Sequence, residues 1–219
     1  MTYASIDEWI KEFYDYAVEA GFPREVFFSQ DNCARYVDTA IDGYRDYPLF
    51  CSLFGGRYNA EQLTKMMTVD FTSRLRKAAG IASSAEYESV ILIEPPHAKK
   101  ESLRQYAKVA RLSDYAMLLK PATYRQEAYE SYATKKREAY MDDRTWYMYV
   151  FATRLDMQHK GYGKKLMNLI CAFARDKGYR ICLETNLDGN IAMYEHFGFK
   201  LMDSSTYKGK MGHYVLLFG

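Results

Sequence analysis

Apolar and polar residues repeat along this chain with two different periods. In "SIDEWIKEFYDYAVEAGFP", Ile6, Trp9, Ile10, Phe13 and Ala17 recur at helical spacing, which predicts an amphipathic helix. Ser5 and Glu8 make a capping box at its start, and Gly21 followed by Pro23 marks its end. Val37, Ala40, Ile41 and Tyr44 predict a second helix, which must stop before Pro48 because a proline pushes the preceding residue out of helical geometry. A third is expected to start at Asn59, with Gln62 at the capping-box position, and to run through Leu63, Met67, Phe71 and Leu75 to Gly80. The first third of the chain is thus read as helical, its Met and aromatic stripe as core packing.

"YESVILIEPP" then reads as a buried strand, Val90 to Ile93, stopped by Pro95-Pro96. Ser102 to about Leu119 and Tyr124 to about Tyr140 are helix candidates. From Trp146 the pattern changes: "WYMYVFAT" is rich in strand formers and leads into a loop with two glycines, Gly161 and Gly163. Leu166, Leu169, Ile170 and Phe173 share one face of the helix that follows, and Gly178 ends it. "YRICLET" is a second strand, "NLDGN" a turn, "IAMYEHF" a short helix closed by Gly198, and "FKLMDSSTY", "KGKMG" and "HYVLLF" a closing hairpin. Strand, helix, strand, helix, hairpin is an α/β layout whose first two strands should run parallel through a right-handed crossover.

Composition narrows the class. The 219 residues are 48% hydrophobic and 26% charged, an ordinary balance for a globular chain. A net charge of +2 gives no nucleic-acid footprint, and the runs Lys99-Lys100 and Lys135-Lys136-Arg137 lie beside acidic residues, as on a solvated helix face. Cys33, Cys51, Cys171 and Cys182 have no metal-like spacing, and His97, His159, His196 and His213 are scattered, so no metal is expected. With no signal-peptide layout and no apolar run of spanning length, the expectation is a cytoplasmic, reduced protein without a membrane partner.

The glycine loop carries the chemistry. Gly161 and Gly163 sit where strand turns to helix, and the first N–H groups of a helix attract an anion. Lys160, Lys164 and Lys165 add positive charge nearby. A P-loop would need a hydroxyl after Gly163-Lys164, where Lys165 stands, and a dinucleotide fingerprint would need glycine at Leu166. Both fail. Gln158-His159-Lys160-Gly161-Tyr162-Gly163 instead fits Q/R-x-x-G-x-G, and about 30 residues later comes "GNIAMYEHFGF".

Together these motifs resemble the GNAT superfamily of N-acetyltransferases, most clearly from Trp146 onward and more loosely back to about Cys33. The resemblance implies an α+β fold: a mostly antiparallel twisted sheet, its central parallel pair splayed into a V, flanked by helices. Residues 1–30 would be an N-terminal helical extension, and 31–219 one domain with its acyl-CoA-binding core at 146–199. It further implies that backbone N–H groups of Gln158, Lys160, Gly161, Gly163 and Lys164, with His159 and Tyr162 in the same loop, cradle the pyrophosphate of acetyl-CoA. Backbone groups freed by the splay around Phe151, Ala152 and Thr153 would pair with pantetheine and the thioester carbonyl.

Tyr194 takes the family position of the tyrosine whose hydroxyl faces the thioester sulfur; packing a short helix onto the sheet is its alternative role. The pantetheine-contacting asparagine departs from pattern. The usual asparagine precedes the tyrosine by seven residues, whereas Asn190 precedes Tyr194 by four and Asn186 by eight; either amide could serve, and Asn190 could equally cap the helix. Many members carry a glutamate on the strand before the loop, but "WYMYVFAT" has no acid. Glu184, on the face of its strand shared with Cys182, is the candidate base or a structural carboxylate; a water relay or an amine arriving neutral are the other routes, while Asp156 and His159 lie near the loop.

The implied reaction is acetyl transfer from acetyl-CoA to a primary amine of a small molecule or peptide, against the alternative of a non-catalytic acyl-CoA-binding module. The acceptor pocket would come from the early helices and the segment after "EPP", where Tyr106, Tyr115, Tyr124, Tyr129, Tyr132 and Tyr140 are pocket or surface aromatics. A homodimer stays open.

Overall fold

The computed structural model describes residues 5–98 and 121–219; the helix expected over 102–119 lies outside the described residues, as do Lys99, Lys100, Tyr106 and Tyr115. Six strands form one sheet in the order β1-β2-β3-β4-β6-β5: β1 Ala79–Ala82, β2 Ser89–Glu94, β3 Thr145–Thr153, β4 Arg180–Thr185, β5 Lys200–Tyr207 and β6 Met211–Phe218. All neighbouring pairs are antiparallel except β3 and β4, which are parallel. The mixed α+β sheet with one central parallel pair is the expected fold.

Helix α1 (Ile6–Glu19) begins with the capping box: the Ser5 hydroxyl accepts from the Glu8 N–H and the Glu8 carboxylate accepts from the Ser5 N–H. Trp9, Phe13 and Ala17 are its buried stripe. Phe13 meets Phe173 of α6 (Tyr162–Lys177) edge-on at 5.2 Å, so α1 and α6 cover one sheet face together. Helices α2 (Cys33–Gly43) and α4 (Ala60–Arg74), with α5 (Pro121–Glu138), cover the other. β2 lies between these layers, and Val90 through Ile93 are inaccessible to solvent on both faces, which explains an unbroken apolar run in place of alternation.

Two elements depart from expectation. The third helix ends at Arg74 rather than Gly80, and Gly80 lies inside β1, where its C=O accepts from the Phe28 N–H at 2.9 Å. "AGIA" is too short and too small to show a period of two. Pro48 does not only stop a helix; it is the first residue of a short one, α3 (Pro48–Leu53), where a missing N–H costs nothing. The remaining helix, α7, spans Gly189–His196. No helix among the described residues is long and apolar enough to cross a membrane.

Gly80 is a close-approach glycine: a Cβ there would lie on a Leu92 methyl and 2.6 Å from the Phe28 Cβ. Gly80→Ala should therefore destabilise the fold by about 1–3 kcal/mol, read as a lower urea midpoint at unchanged slope.

Candidate active site

The centre of the sheet is where pairing fails. β3 and β4 are in register only from Thr145 opposite Arg180 to Met148 opposite Leu183. At that point β3 also slips against β2: Ile93 faces Met148 and Leu92 faces Val150, so that Tyr149 is the extra residue of a β-bulge. The bulge reverses the alternation. Before it, Trp146 packs on Phe173 of α6; after it, Phe151 and Thr153 lie against Gly163 of α6, and Ala152 lies against Gly43 of α2. A bulge bends the strand that carries it, and β3 leaves β4 from here on, giving the expected V.

The strand edges inside the V are not free. The Tyr44 hydroxyl accepts from the Phe151 N–H at 3.2 Å and donates to the Phe151 C=O at 3.3 Å. Tyr47 accepts from the Asn186 N–H at 2.7 Å, just past the end of β4, and contacts the Thr185 hydroxyl at 3.2 Å. The Ala152 C=O accepts from the Ser89 hydroxyl and the Thr153 C=O from the Gln158 side chain. The backbone groups that the splay frees from β4 are thus met by side chains: a buried edge N–H or C=O is costly to leave unmet, and two tyrosines following α2 meet those of the V.

The loop after β3 differs in kind. His159 and Gly161 both have positive φ, and Gly161, at φ +89 with open space where a Cβ would be, is the N-cap of α6. No side chain caps this helix start, and Gln158 to Gly161 and Lys164 are exposed, with Tyr162 and Gly163 half-buried. The N–H groups of the first turn therefore face outward with the positive end of the helix dipole, a fitting place for a phosphate. Gly163 serves packing instead: a Cβ there would meet the Thr153 hydroxyl at 3.0 Å and the Phe151 ring at 3.1 Å. Lys165 does not join the loop's charge; its ammonium donates to the Ser83 C=O at 2.8 Å. Asp156 is exposed and paired with Arg154.

Tyr194, on α7, is buried with its ring 6.4 Å from Phe151 and 5.7 Å from Phe199. Burial holds its phenol well above the usual range, with Tyr47 and Tyr44 adding to the effect. Tyr194 thus stands beside the V, and no hydrogen bond to its hydroxyl forms among the described residues. Asn190 is not the helix cap, since Asp188 holds that position; its amide donates to Thr185 at 3.1 Å. Asn186 is buried, and its side-chain amide donates to the Gly212 C=O and the Tyr129 hydroxyl.

Glu184 points to the other side of the V. Its side chain is only 9% exposed; one oxygen accepts from Tyr147 at 2.8 Å and Arg137 at 3.2 Å. Its other oxygen, Oε1, is buried without a hydrogen-bond partner, 3.5 Å from the equally unpartnered Nε2 of His213. Burial pushes the Glu184 carboxyl up, against the pull of Arg137 and Tyr147. Burial also pushes His213 down to about 4, so the ring is neutral at pH 7. The Tyr129 hydroxyl lies 3.0 Å from its Nδ1. Donation there leaves the ring proton on Nε2, facing Glu184.

A cavity of about 100 Å³ adjoins this carboxylate and also touches Tyr44, Tyr47 and Asn186. Of the tyrosines expected to line a pocket, only Tyr129 does so among the described residues; Tyr124 is 58% exposed and Tyr132 bonds Ser205. Tyr147, Tyr149 and the pair Tyr44 and Tyr47 line it instead. Only a side chain's place across the sheet, unknown before register is known, could have singled them out.

These features define a class of fold, a mixed α+β protein with an uncapped, glycine-led helix start beside a split sheet. The family model for the acetyltransferase (GNAT) family matches residues 124–199, so this stretch of the chain is similar to that family, whose members use acetyl-CoA and acetylate amine acceptors. Three solved structures share the fold. One, described as histone acetyltransferase HPA2 and related acetyltransferase from Corynebacterium glutamicum, is 16% identical over 88% of this chain and 94% of that one, with TM-score 0.55. An N-acetyltransferase from Staphylococcus aureus Mu50 is 9% identical over 85% and 95%, with TM-score 0.55. The C-terminal condensation domain of Ebony is 8% identical over 88% and 96%, with TM-score 0.59. At these identities the likeness is one of fold. No curated protein sequence matches the chain.

A ligand strand entering the V must displace the tyrosine hydroxyls. Tyr44→Phe should accordingly tighten acetyl-CoA binding by roughly fivefold, the worth of about one net hydrogen bond, in isothermal titration. Weaker binding would show that the Tyr44 hydroxyl belongs to the bound state.

Proposed function

We propose that this protein transfers the acetyl group of acetyl-CoA to a primary amine of a small molecule or peptide. The observation that carries the reading is the uncapped start of α6, opening directly beside the divergence of β3 from β4. Acetyl-CoA supplies an activated thioester. Backbone N–H groups between Gln158 and Lys164 would hold its pyrophosphate, with His159 and Tyr162 in the same loop, and the backbone of Phe151 to Thr153 would hold its pantetheine and polarise the carbonyl. Asn190, at the start of α7, is better placed than Asn186 to contact the pantetheine, because Asn186 is committed to Gly212 and Tyr129.

Glu184 is the base. An arriving ammonium gives one proton to this desolvated carboxylate; the nitrogen then bonds to the carbonyl carbon as the carbon–sulfur bond breaks. The second proton lost from nitrogen is balanced by one gained at sulfur, where Tyr194 is the acid. Because burial keeps Tyr194 protonated, its hydroxyl remains a donor throughout the neutral range. His213 Nε2 lies 3.5 Å from the free oxygen of Glu184 without a hydrogen bond to it.

Titration with acetyl-CoA, free CoA and ATP in parallel tests the reading, which expects both CoA species to bind and ATP to be ignored. Tyr194→Phe should lower kcat about 100-fold at unchanged CoA affinity. Glu184 works only when ionised, so kcat should rise with pH through its elevated pKa, and Glu184→Gln should abolish that limb. Binding of CoA with no turnover on any amine, and no effect of either substitution on acetyl-CoA affinity, would leave the non-catalytic binding module standing instead.

A further inference from the structure

The cavity beside Glu184 has two kinds of wall. Phe50, Leu63 and Met67, from α3 and α4, are apolar; Glu184, Glu130 and Asp70 bring carboxylates from β4, α5 and α4. Arg137 lies 3.2 Å from Glu184 and 3.9 Å from Glu130, and Arg74 pairs with Asp70. With all three carboxylates ionised, against the upward push of burial on Glu184 and Glu130, three carboxylates less two guanidinium groups leave one negative charge. Adding the neighbouring Glu94 and Lys77, which pair with each other, leaves the same balance among the described residues. His213 contributes no charge when neutral. Among these carboxylates Glu184 keeps one oxygen, Oε1, without a hydrogen bond, with His213 Nε2 3.5 Å from it.

Size sets the second limit. An apolar cavity of about 150 Å³ takes up benzene in a well-studied lysozyme variant; the volume here is about 100 Å³ in a cavity that is not fully enclosed, so one ring, partly protruding, is the most it can seat. A flexible polyamine, a sugar-based antibiotic or a peptide backbone would have to extend beyond these walls, into the larger polar cleft that shares Asp70, Glu130, Tyr147 and Tyr149. It would also bring more charge or more polar groups than they can satisfy, and an unmet buried polar group costs as much as a good contact gains.

We infer that the acceptor is a compact primary amine with a single cationic nitrogen set toward Glu184 and an apolar body no larger than a short branched alkyl chain or one ring, seated against Phe50, Leu63 and Met67. The inference rests on the acetyltransferase reading and narrows its acceptor. Tyr44 and Tyr47 lie in both the cavity wall and the V, so the nitrogen enters on the acceptor side of the same opening that admits the thioester.

The test is a titration of the whole protein with 3-methylbutylamine, 2-phenylethylamine, spermidine and a short lysine-containing peptide, each with and without saturating free CoA, followed by acetylation assays on the same four. Expected is saturable binding and turnover of at least one of the two compact amines, with spermidine and the peptide at least tenfold poorer in kcat/KM. Leu63→Phe, which fills the apolar wall, should weaken the preferred amine at least tenfold and leave acetyl-CoA affinity unchanged; Met67→Phe replaces it if the first variant does not fold. Equal or better use of spermidine or peptide overturns the inference, as does failure of both compact amines in a protein that binds CoA. Failure to bind CoA itself would instead sink the acetyltransferase reading, and the amine titrations without CoA still report on the cavity.

Discussion

Everything at this site depends on a single extra residue in β3. Tyr149 is inserted into the β2 ladder immediately after Met148, where β3 makes its last pair with β4. Had the alternation continued unbroken, Phe151 and Thr153 would face α2, and Gly163 would lose the side chains whose closeness requires glycine. One residue of slip changes which face each following side chain occupies. It also ends the parallel ladder early, which turns a continuous sheet into one with an opening at its centre. The glycine-led helix start, the tyrosine on α7 and the buried glutamate matter chemically because they border that opening.

An opening in a sheet is costly, since edge N–H and C=O groups in a dry interior lose water without gaining a partner. Here Tyr44 and Tyr47 restore the lost bonds from outside the sheet, each meeting one divergent edge through a hydroxyl. Such a closure is weaker than a strand ladder and can be exchanged for another set of donors and acceptors. Both tyrosines come from the segment around Asp46, whose φ of 62 marks a tight reversal between α2 and α3. The fold thus keeps its split satisfied with groups that an extended ligand could replace bond for bond.

What could be read from the chain follows the range of the interactions concerned. The capping box at Ser5, the left-handed endings at Gly161 and Gly178, and the helix around Tyr194 are set by neighbours a few residues apart, and their signals are local. The position of Gly80 is set by Leu92 and Phe28, distant in sequence, so the same residue that reads as a helix stop is a packing requirement of a strand. His213 looked like one of four scattered histidines because its partners, Tyr129 and Glu184, come from two other elements. The tyrosines of the V were hidden among the 21 in the chain for the same reason. Composition marked tyrosine as abundant; only the strand register separates those at the opening from those on the surface.

The two sides of the opening are built from different materials, and this has a consequence for how such a site can change. On the α6 side the exposed groups are main-chain N–H groups and glycines, which most side-chain substitutions leave intact. On the α4 and α5 side the cavity wall is made of side chains: apolar groups from α3 and α4, and a carboxylate cluster held by Arg74 and Arg137. A cluster of that kind is stiff, because removing one member strands a buried charge on another, whereas the apolar wall can be enlarged or filled one residue at a time. Glu184 joins the two sides. Its strand supplies the edge that Tyr47 covers, and its carboxylate faces the cavity wall. Changes in amine preference should therefore accumulate at Phe50, Leu63 and Met67 while Glu184, Arg137 and the loop from Gln158 to Lys164 stay fixed. The acceptor can then diverge without disturbing the grip on the acyl donor.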